Sequence, residues 1–483
     1  MCDQFRNPQH WQDKVALPNF EKLRKRGLYF ENAYVAGTAC NVSRATIFSG
    51  KYCRETGVTS TSGFEMPNGT WAGYSPSDPQ CSLPTPDVVK NLGTHFKNAA
   101  TSFQTVYKGK WHLSEVEGDW PEGTPAGLDE YDFSGWQPPE GHGSTPLRWG
   151  VGVDPSYAQE TVQSLYDLCD TERWLLVSSL VNPHDVGFFA QWPSAIPDLG
   201  IELPKNFNWA GVKPLCQAIG RNFWNGSTFP DGVDEDTWQQ YVQFYAYLTQ
   251  LADLQLGIIL DALKDSGQEK DTLVVFMADH GEMAASHSMT QKWYQAYEEA
   301  IHVPLIFSGL GIHPGKTKSL ASTIDLAPTL LSLAGIELPD GDDELRGEDL
   351  SPVLFNPENQ VQDGVLFLTD DDIIGSLSNA TSDPLFSHNY PQIAGYVKAI
   401  EDVPTFIRAI RTTEWKFIVY APTNNWPLDG DDGCEFELYD MTTECGKLEQ
   451  ENLYHSEDQD IIASLKSQLI DLINQKYMHP ALT

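Results

Sequence analysis

Basic side chains are scarce in this chain. Lysine and arginine together number 31 against 67 aspartates and glutamates, a formal net charge of −36. That deficit argues against nucleic acid as a partner, because phosphate backbones are held by basic surfaces. It is also a poor match to anionic membrane surfaces, and it reads as a solvated acidic exterior that aids solubility. An anionic substrate would need a local island of positive charge. Long apolar runs are missing too: no stretch approaches the roughly 18 residues needed to span a bilayer. The opening "MCDQFRNPQHW" is polar at once and shows no cleavable signal pattern, so it leaves localisation open between cytoplasm and secretion. The eight cysteines, at positions 2, 40, 53, 81, 169, 216, 434 and 445, form no CxxC and no Cys/His group of zinc spacing, which argues against a zinc site. Cys434 and Cys445 are close enough in sequence to pair across a hairpin in an oxidising compartment, and the count alone does not establish the compartment. Internal repeats are absent.

What is present is a chain of 483 residues, 41% hydrophobic, long enough for one large domain and a smaller one, or for two to three of ordinary size. "WLLVSSLV" (174–181), "TLVVFMAD" (272–279) and "VPLIFSG" (303–309) read as buried strands, whereas 17–27 and 236–267 read as helices. This alternation predicts an α/β fold, a large mostly parallel sheet flanked by helices, over 1–355. From 356 to 483 the pattern changes to short alternating strands and a closing helix near 460–476, a small antiparallel sheet with a helix. Gly-, Pro-, Ser- and Trp-rich stretches at 60–83 and 111–156 read as long surface loops, their tryptophans packing onto the body. With 370–400 they are expected to set substrate choice. Asn68, Asn225 and Asn379 match the glycosylation acceptor pattern, a short and weak motif.

Five short segments carry polar residues that core packing does not call for. They hold Cys40 with Arg44, Lys110 with His112, His184, Asp279 with His280, and Lys292. Three of them come directly after strands, and in open α/β sheets ligands bind beyond the carboxyl ends of the strands. Lys110, Lys292 and Arg44 are cations suited to a tetrahedral oxyanion, and His112 and His184 exchange protons near neutral pH. Asp279, with Asp3 and Gln4 as further candidates, offers oxygen ligands to a hard divalent metal. The set points to hydrolysis of a sulfate or phosphate ester. Taken singly, each residue has a plain structural alternative: a buried cysteine, a surface lysine or histidine, a turn, an exposed terminus.

The order of these segments resembles the type I sulfatase family, whose fold is that of alkaline phosphatase. "CNVSRATIFSG" is similar to the family's Cys-x-Pro-Ser-Arg signature and "GKWHL" to its Gly-Lys-Trp-His segment. "ADHGEM" and "YEEAIHVPLI" are similar to its second metal strand and the stretch after that strand, and "AIRTTEWKFIVY" and "ELYD" to its C-terminal part. The resemblance implies a hydrolase of sulfate esters in which Cys40, oxidised by a formylglycine-generating enzyme, supplies an aldehyde whose hydrate attacks sulfur, leaving a sulfated hemiacetal. It implies that Arg44 fixes the hydrate, His112 is the base of the second step, Lys110 and Lys292 grip sulfate oxygens, and His184 with Lys292 donates to the leaving oxygen. Asp3, Gln4, Asp279, His280 and residue 40 would bind one divalent cation, calcium before magnesium or manganese. A small-molecule or carbohydrate sulfate ester is the implied substrate.

Three departures from the family pattern matter. Val42 stands where the signature has proline, leaving open a variant that is not converted and only binds anions. Asp3-Gln4 stands for the more frequent Asp-Asp, a combination also similar to phosphonate monoester hydrolase and choline-sulfatase-like branches. Only Met1 and Cys2 precede Asp3, so the apolar strand expected inside the sheet is almost absent, and unpaired backbone groups and an open slot are expected there. A truncated start that folds poorly or binds metal weakly is the corresponding expectation.

Overall fold

The computed structural model describes residues 1–11, 15–65, 71–114, 127–138, 140, 149–192, 194–208, 211–341, 344–372, 403–423 and 433–477. Besides a short antiparallel ribbon of Phe64–Glu65 and Trp71–Ala72, its strands are β1 (Leu28–Tyr34), β2 (Gln104–Gly109), β3 (Trp174–Ser179), β4 (Val274–Met277), β5 (Leu305–Ser308) and β6 (Gly315–Ser322), then β7 (Gly364–Thr369), β8 (Phe406–Thr412), β9 (Trp415–Ala421) and β10 (Glu435–Asp440). The first six run in the order β2-β3, then β4-β5-β1-β6, and the residues around Cys2 join the two halves through parallel bridges to Leu180 and Ala278. β2 pairs parallel with β3, and β1 with β6; β5 alone runs against its neighbours β1 and β4. The expected mostly parallel sheet is therefore present.

The helices that matter to the site are α1 (Pro18–Arg26), α2 (Cys40–Ser49), α3 (Gly150–Asp167), α4 (Leu215–Thr228), α5 (Glu235–Asp265) and α6 (Gln459–Lys476). α1 and α5 match the apolar spacing read from the sequence. α3 corrects the reading of 111–156 as loop throughout: 150–156 form its first turns, because Asp185 from a distant loop caps amides that no local side chain caps. Other parts of the loop-like stretches are packed rather than superficial, with Leu128, Tyr131, Phe133 and Trp136 in one core cluster with Trp111. Trp149 is buried as well. No helix among the described residues is long and apolar enough to cross a membrane.

β7 to β10 form a second, antiparallel sheet in the order β10-β9-β8-β7, with α6 packed on it through Ile462, Leu465, Leu469 and Ile473. Cys434 and Cys445 are free thiols, as are the other six cysteines. The two flank β10 at opposite ends, and its six residues span roughly 20 Å at about 3.3 Å each. A disulfide bridges Cα atoms only about 4.4–6.8 Å apart. Asn225 lies on α4 with its amide donating to the Ser288 carbonyl at 2.8 Å and accepting from the Thr290 amide at 3.2 Å, so it is engaged in packing. Asn68 and Asn379 lie outside the described residues, as do 66–70, 115–126, 139, 141–148 and 373–400 of the expected substrate loops.

The chain start is held tightly at the sheet's carboxyl rim. Leu180 N donates to Met1 O at 2.9 Å, Asp3 N to Leu180 O at 3.1 Å, and Cys2 N to Met277 O at 3.0 Å. Below it, between β3 and β4, lies a cavity of about 140 Å³ lined by apolar side chains that include Leu165, Leu176, Leu256, Leu260 and Val275. The apolar run of β3 predicts a strand buried throughout. It is half-exposed over its first five residues, because the slot leaves that edge uncovered.

Candidate active site

The sheet's rim collects polar side chains for a geometric reason. Chain ends of parallel strands leave the sheet at one edge, and the residues just past β2, β3 and β4 are Lys110, the 181–185 loop and Asp279. Asp3 joins them from the chain start. Cys40 is the first residue of α2, whose ten residues are all buried. The free N–H groups and dipole of a helix start favour an anion there. Arg44 lies four residues on, one turn along the same face. Gly50 closes the helix in the left-handed region (φ 65°), its amide on the Thr46 carbonyl at 2.9 Å. A Cβ there would meet Leu345 at 2.9 Å.

Asp3, Cys40, Asp279 and His280 form one buried group whose ligand atoms lie within 4.8 Å of one another. Cys40 Sγ is 3.1 Å from His280 Nε2 and 3.8 Å from Asp3 Oδ1. His280 Nδ1 is 2.9 Å from the Gly281 carbonyl. A proton on Nδ1 donated to that carbonyl leaves the Nε2 lone pair facing the carboxylates, which is how imidazole ligands are oriented. Arg44 binds both carboxylates, through Nε to Asp279 Oδ2 at 2.7 Å and Nη2 to Asp3 Oδ2 at 3.4 Å. Its Nη1 donates to the Lys110 carbonyl at 2.7 Å and to Ser179 Oγ at 3.1 Å. Its guanidinium is thus spent on the carboxylates and the rim backbone, and Lys110 pairs with Asp3.

The electrostatics arise from this packing. Burial pushes the Asp3 carboxyl up, but Lys110, His184 and Arg44 together hold it well below the usual carboxylate range. Burial and Asp3 raise the Cys40 thiol, and Lys292, His280 and Lys110 overcome them, so it falls below its ordinary value. Burial lowers Lys110 and the Asp3 carboxylate more than restores it, leaving it raised. Burial, then the Lys110 charge, hold His184 well below its ordinary value, against the pull of the Asp3 carboxylate.

The remaining expected residues surround this group. Lys292 Nζ donates to Gln4 Oε1 at 2.7 Å and to Gln291 Oε1 at 3.2 Å, and lies 4.3 Å from the Trp293 ring centre. Gln4, in the left-handed region, gives its amide to Glu282 and Gln291, so its oxygen serves Lys292 here. His112 Nε2 is 3.1 Å from Ser62 Oγ. Gly109 makes the turn that places Lys110 and His112: its φ is 92°, and a Cβ would fall 2.0 Å from the Ser179 carbonyl oxygen. His184 is half-buried, and its Nδ1 has no hydrogen-bond partner.

Sequence patterns do not single out Glu282, Gln291, Asp154 or Asp185. Glu282 accepts from Tyr241 Oη at 2.7 Å and the Gln291 amide at 2.8 Å while holding Gln4. Its place two residues after His280 is the one sequence signal that marks it. Gln291 touches Lys292 in sequence and in space. Asp154 and Asp185 support the 181–185 loop, and only the adjacency of Asp185 to His184 is visible in the sequence.

Comparison with known proteins gives a consistent result. The family model described as Sulfatase matches residues 4–336. A delta 4,5-hexuronate-2-O-sulfatase of Bacteroides thetaiotaomicron is 28% identical over 351 residues, covering 69% of this chain and 66% of that protein. An ulvan-active sulfatase of Formosa agariphila is 25% identical over 472 residues, covering 95% of this chain and 77% of the relative. The solved phosphonate monoester hydrolase of Silicibacter pomeroyi superposes with a TM-score of 0.69 at 19% identity, over 99% of this chain and 95% of that one. At that identity the likeness shows the fold, which is the alkaline phosphatase-like one expected.

Proposed function

As the chain belongs to the sulfatase family, whose named relatives are sulfuric ester hydrolases, we propose that it cleaves sulfate esters of a carbohydrate at the group built around residue 40. The observation that carries this is the convergence of Asp3, Asp279, His280, Lys110 and Lys292 on the buried start of α2. Two carboxylates and an imidazole whose Nε2 faces them fit a divalent cation, which within this reading is calcium, with magnesium and manganese as alternatives. Asp3, Asp279 and His280 would hold it, with residue 40 and Gln4 as further ligands, and the ion would supply positive charge opposite the sulfate oxygens. Maturation of Cys40 to formylglycine would provide the attacking oxygen.

The chain's own residues do the rest. Lys110 and Lys292 bind sulfate oxygens and offset the acidic exterior. Arg44 holds the two carboxylates in register, one helical turn from residue 40. His112, beside Ser62, is the base of the second step. His184, its Nδ1 free, takes up a proton when bound sulfate offsets the Lys110 charge and gives it to the departing alcohol oxygen, returning to neutral imidazole.

The test is mass spectrometry of the peptide spanning Cys40 after expression with a formylglycine-generating enzyme, then parallel assays on an aryl sulfate and an aryl phosphodiester. An aldehyde at residue 40 with sulfate turnover is the expected result. Unmodified thiol throughout sinks the sulfatase mechanism and leaves an anion binder. Aldehyde with faster phosphodiester turnover favours the second reading, a phosphonate monoester hydrolase-like activity, which the structural likeness to that enzyme supports.

A further inference from the structure

β3 ends at Ser179, and the chain then crosses the rim as Leu180-Val181-Asn182-Pro183-His184-Asp185. Among the described residues the His184 ring has little to fix it directly. Its Nδ1 has no hydrogen-bond partner, and the Phe188 ring is 5.9 Å away between ring centres. The direction of the imidazole is therefore set by the backbone of this loop.

Two carboxylates hold that backbone from opposite sides. Asp154, in the second turn of α3, accepts from Val181 N at 2.6 Å and Asn182 N at 2.8 Å. Asp185, in the loop, accepts from Gly150 N and Val151 N, the first amides of α3, at 2.8 Å each. Helix and loop thus exchange four N–H···O bonds through one carboxyl group apiece. The helix start has no side-chain cap of its own, so the distant Asp185 satisfies donors that would otherwise be orphaned. The fit is close: a Cβ on Gly150 would lie 2.8 Å from the Asn182 amide. Both aspartates are buried, and among the described residues neither forms an ion pair. Burying two carboxyl groups with no cation is costly. It pushes Asp154 up to about 8 and Asp185 up to about 6, against the pull of the N–H bonds.

We propose that Asp154 and Asp185 form a reciprocal clamp that positions His184 against the leaving-group oxygen. They are positioning residues: neither touches the substrate, and their effect reaches the reaction through the histidine. This rests on the reading of His184 as donor to the departing alcohol. Its consequence is selective. An alcohol that leaves poorly needs the donated proton, whereas one that leaves well does not, so the clamp governs how far activity extends to unactivated sulfate esters such as those of sugars.

The experiment measures kcat/KM for a series of aryl sulfates of graded leaving-group pKa, in the metal-loaded, matured protein and in Asp185→Asn, Asp154→Asn and His184→Ala. Each asparagine keeps one acceptor oxygen and loses the other. The expected result is a loss of about 10-fold or more for the poorest leaving group and no more than about 3-fold for the best, so that the dependence on leaving-group pKa steepens. His184→Ala steepens it at least as much, and Asp185→Asn added to His184→Ala steepens it no further. Equal losses across the series in the aspartate variants, with His184→Ala still steepening it, overturn the clamp. An unchanged slope in His184→Ala overturns the reading of the histidine instead. Should Asp185→Asn fail to fold, Asp154→Asn tests the clamp from the helix side; failure of both to fold overturns the proposal, since the pair would then be structural.

Discussion

Two of the buried charge clusters among the described residues differ in what they gather. At the seam with the antiparallel sheet, Glu298 accepts from Lys416 Nζ at 2.8 Å, Arg411 Nε at 3.1 Å and Tyr34 Oη at 3.3 Å. Glu437 accepts from the hydroxyls of Tyr297, Tyr420 and Tyr439 and from Gln217 Nε2, all at 2.7–2.9 Å. There Glu298 and Glu437 are closed off by their neighbours, although His287 Nδ1 and Glu299 Oε2 beside Glu449 have no hydrogen-bond partner. At the sheet's rim, Arg44 is spent on Asp3 and Asp279, the Cys40 thiol and His280 Nε2 meet at 3.1 Å, and His184 Nδ1 has no hydrogen-bond partner. Both clusters shift proton affinities strongly, so perturbed titration alone does not mark chemistry. A thiol, two carboxylates, an imidazole and two lysines gathered at the start of one helix do.

The sharpest way to break this contrast is at its centre. Cys40→Ala should lower kcat/KM on an aryl sulfate by at least about 10³-fold with little change in melting temperature. A loss of folding, or retained turnover, would place residue 40 among the structural groups. The mirror-image change is Lys416→Met, which strands Glu449 (2.5 Å from Lys416) without that cation and leaves Glu298 with Arg411. It should cost about 3–5 kcal/mol in denaturant unfolding while kcat of the folded protein holds within about 2-fold. A fall in kcat matching that of the rim variant would erase the distinction.

Metal removal should separate the two regions next. Dialysis against a chelator should abolish turnover, restored by calcium, and lower the melting temperature, the stabilisation lost being about 2.7 kcal/mol for an ion at 100 times its Kd. The same shift in Lys416→Met would show that the seam is independent of the ion. An acid titration should then find the seam. Burial holds His287 down to about 3, aided by Lys213, and holds His302 down to about 3, aided by His10. Both are neutral when folded and protonate more readily when unfolded. Their stabilisation is complete above the unfolded value near 6.5 and is lost as pH falls toward 3, by up to about 1.4 kcal/mol per pH unit for each. His287→Gln should flatten that part of the pH–stability curve, and an unchanged curve would refute the assignment.

Strand and helix periodicity make the α/β core legible, because a central strand buries both faces and α5 repeats its apolar positions every turn. The buried start of α2 is not legible from residues 40–50 alone, since a cysteine, a serine and an arginine read equally as core, cap and surface. The 150–156 segment reads as loop because its cap, Asp185, is supplied from across the fold. The Cys434–Cys445 bridge looks open because sequence spacing does not say that a six-residue strand lies between the two thiols.

By itself, then, the sequence determined the composition of the site: its ordered Cys, Arg, Lys, His and Asp segments, and the strands that would carry three of them to one edge. The tertiary structure decided which of those side chains are committed and which are open. Arg44 turned out to hold the carboxylates, Gln4 to hold Lys292, and two aspartates far apart in the chain to hold the loop of His184. The reason is physical. Identity and local period are written residue by residue, whereas the partner of a buried polar group is fixed only when burial removes water and distant elements must satisfy one another.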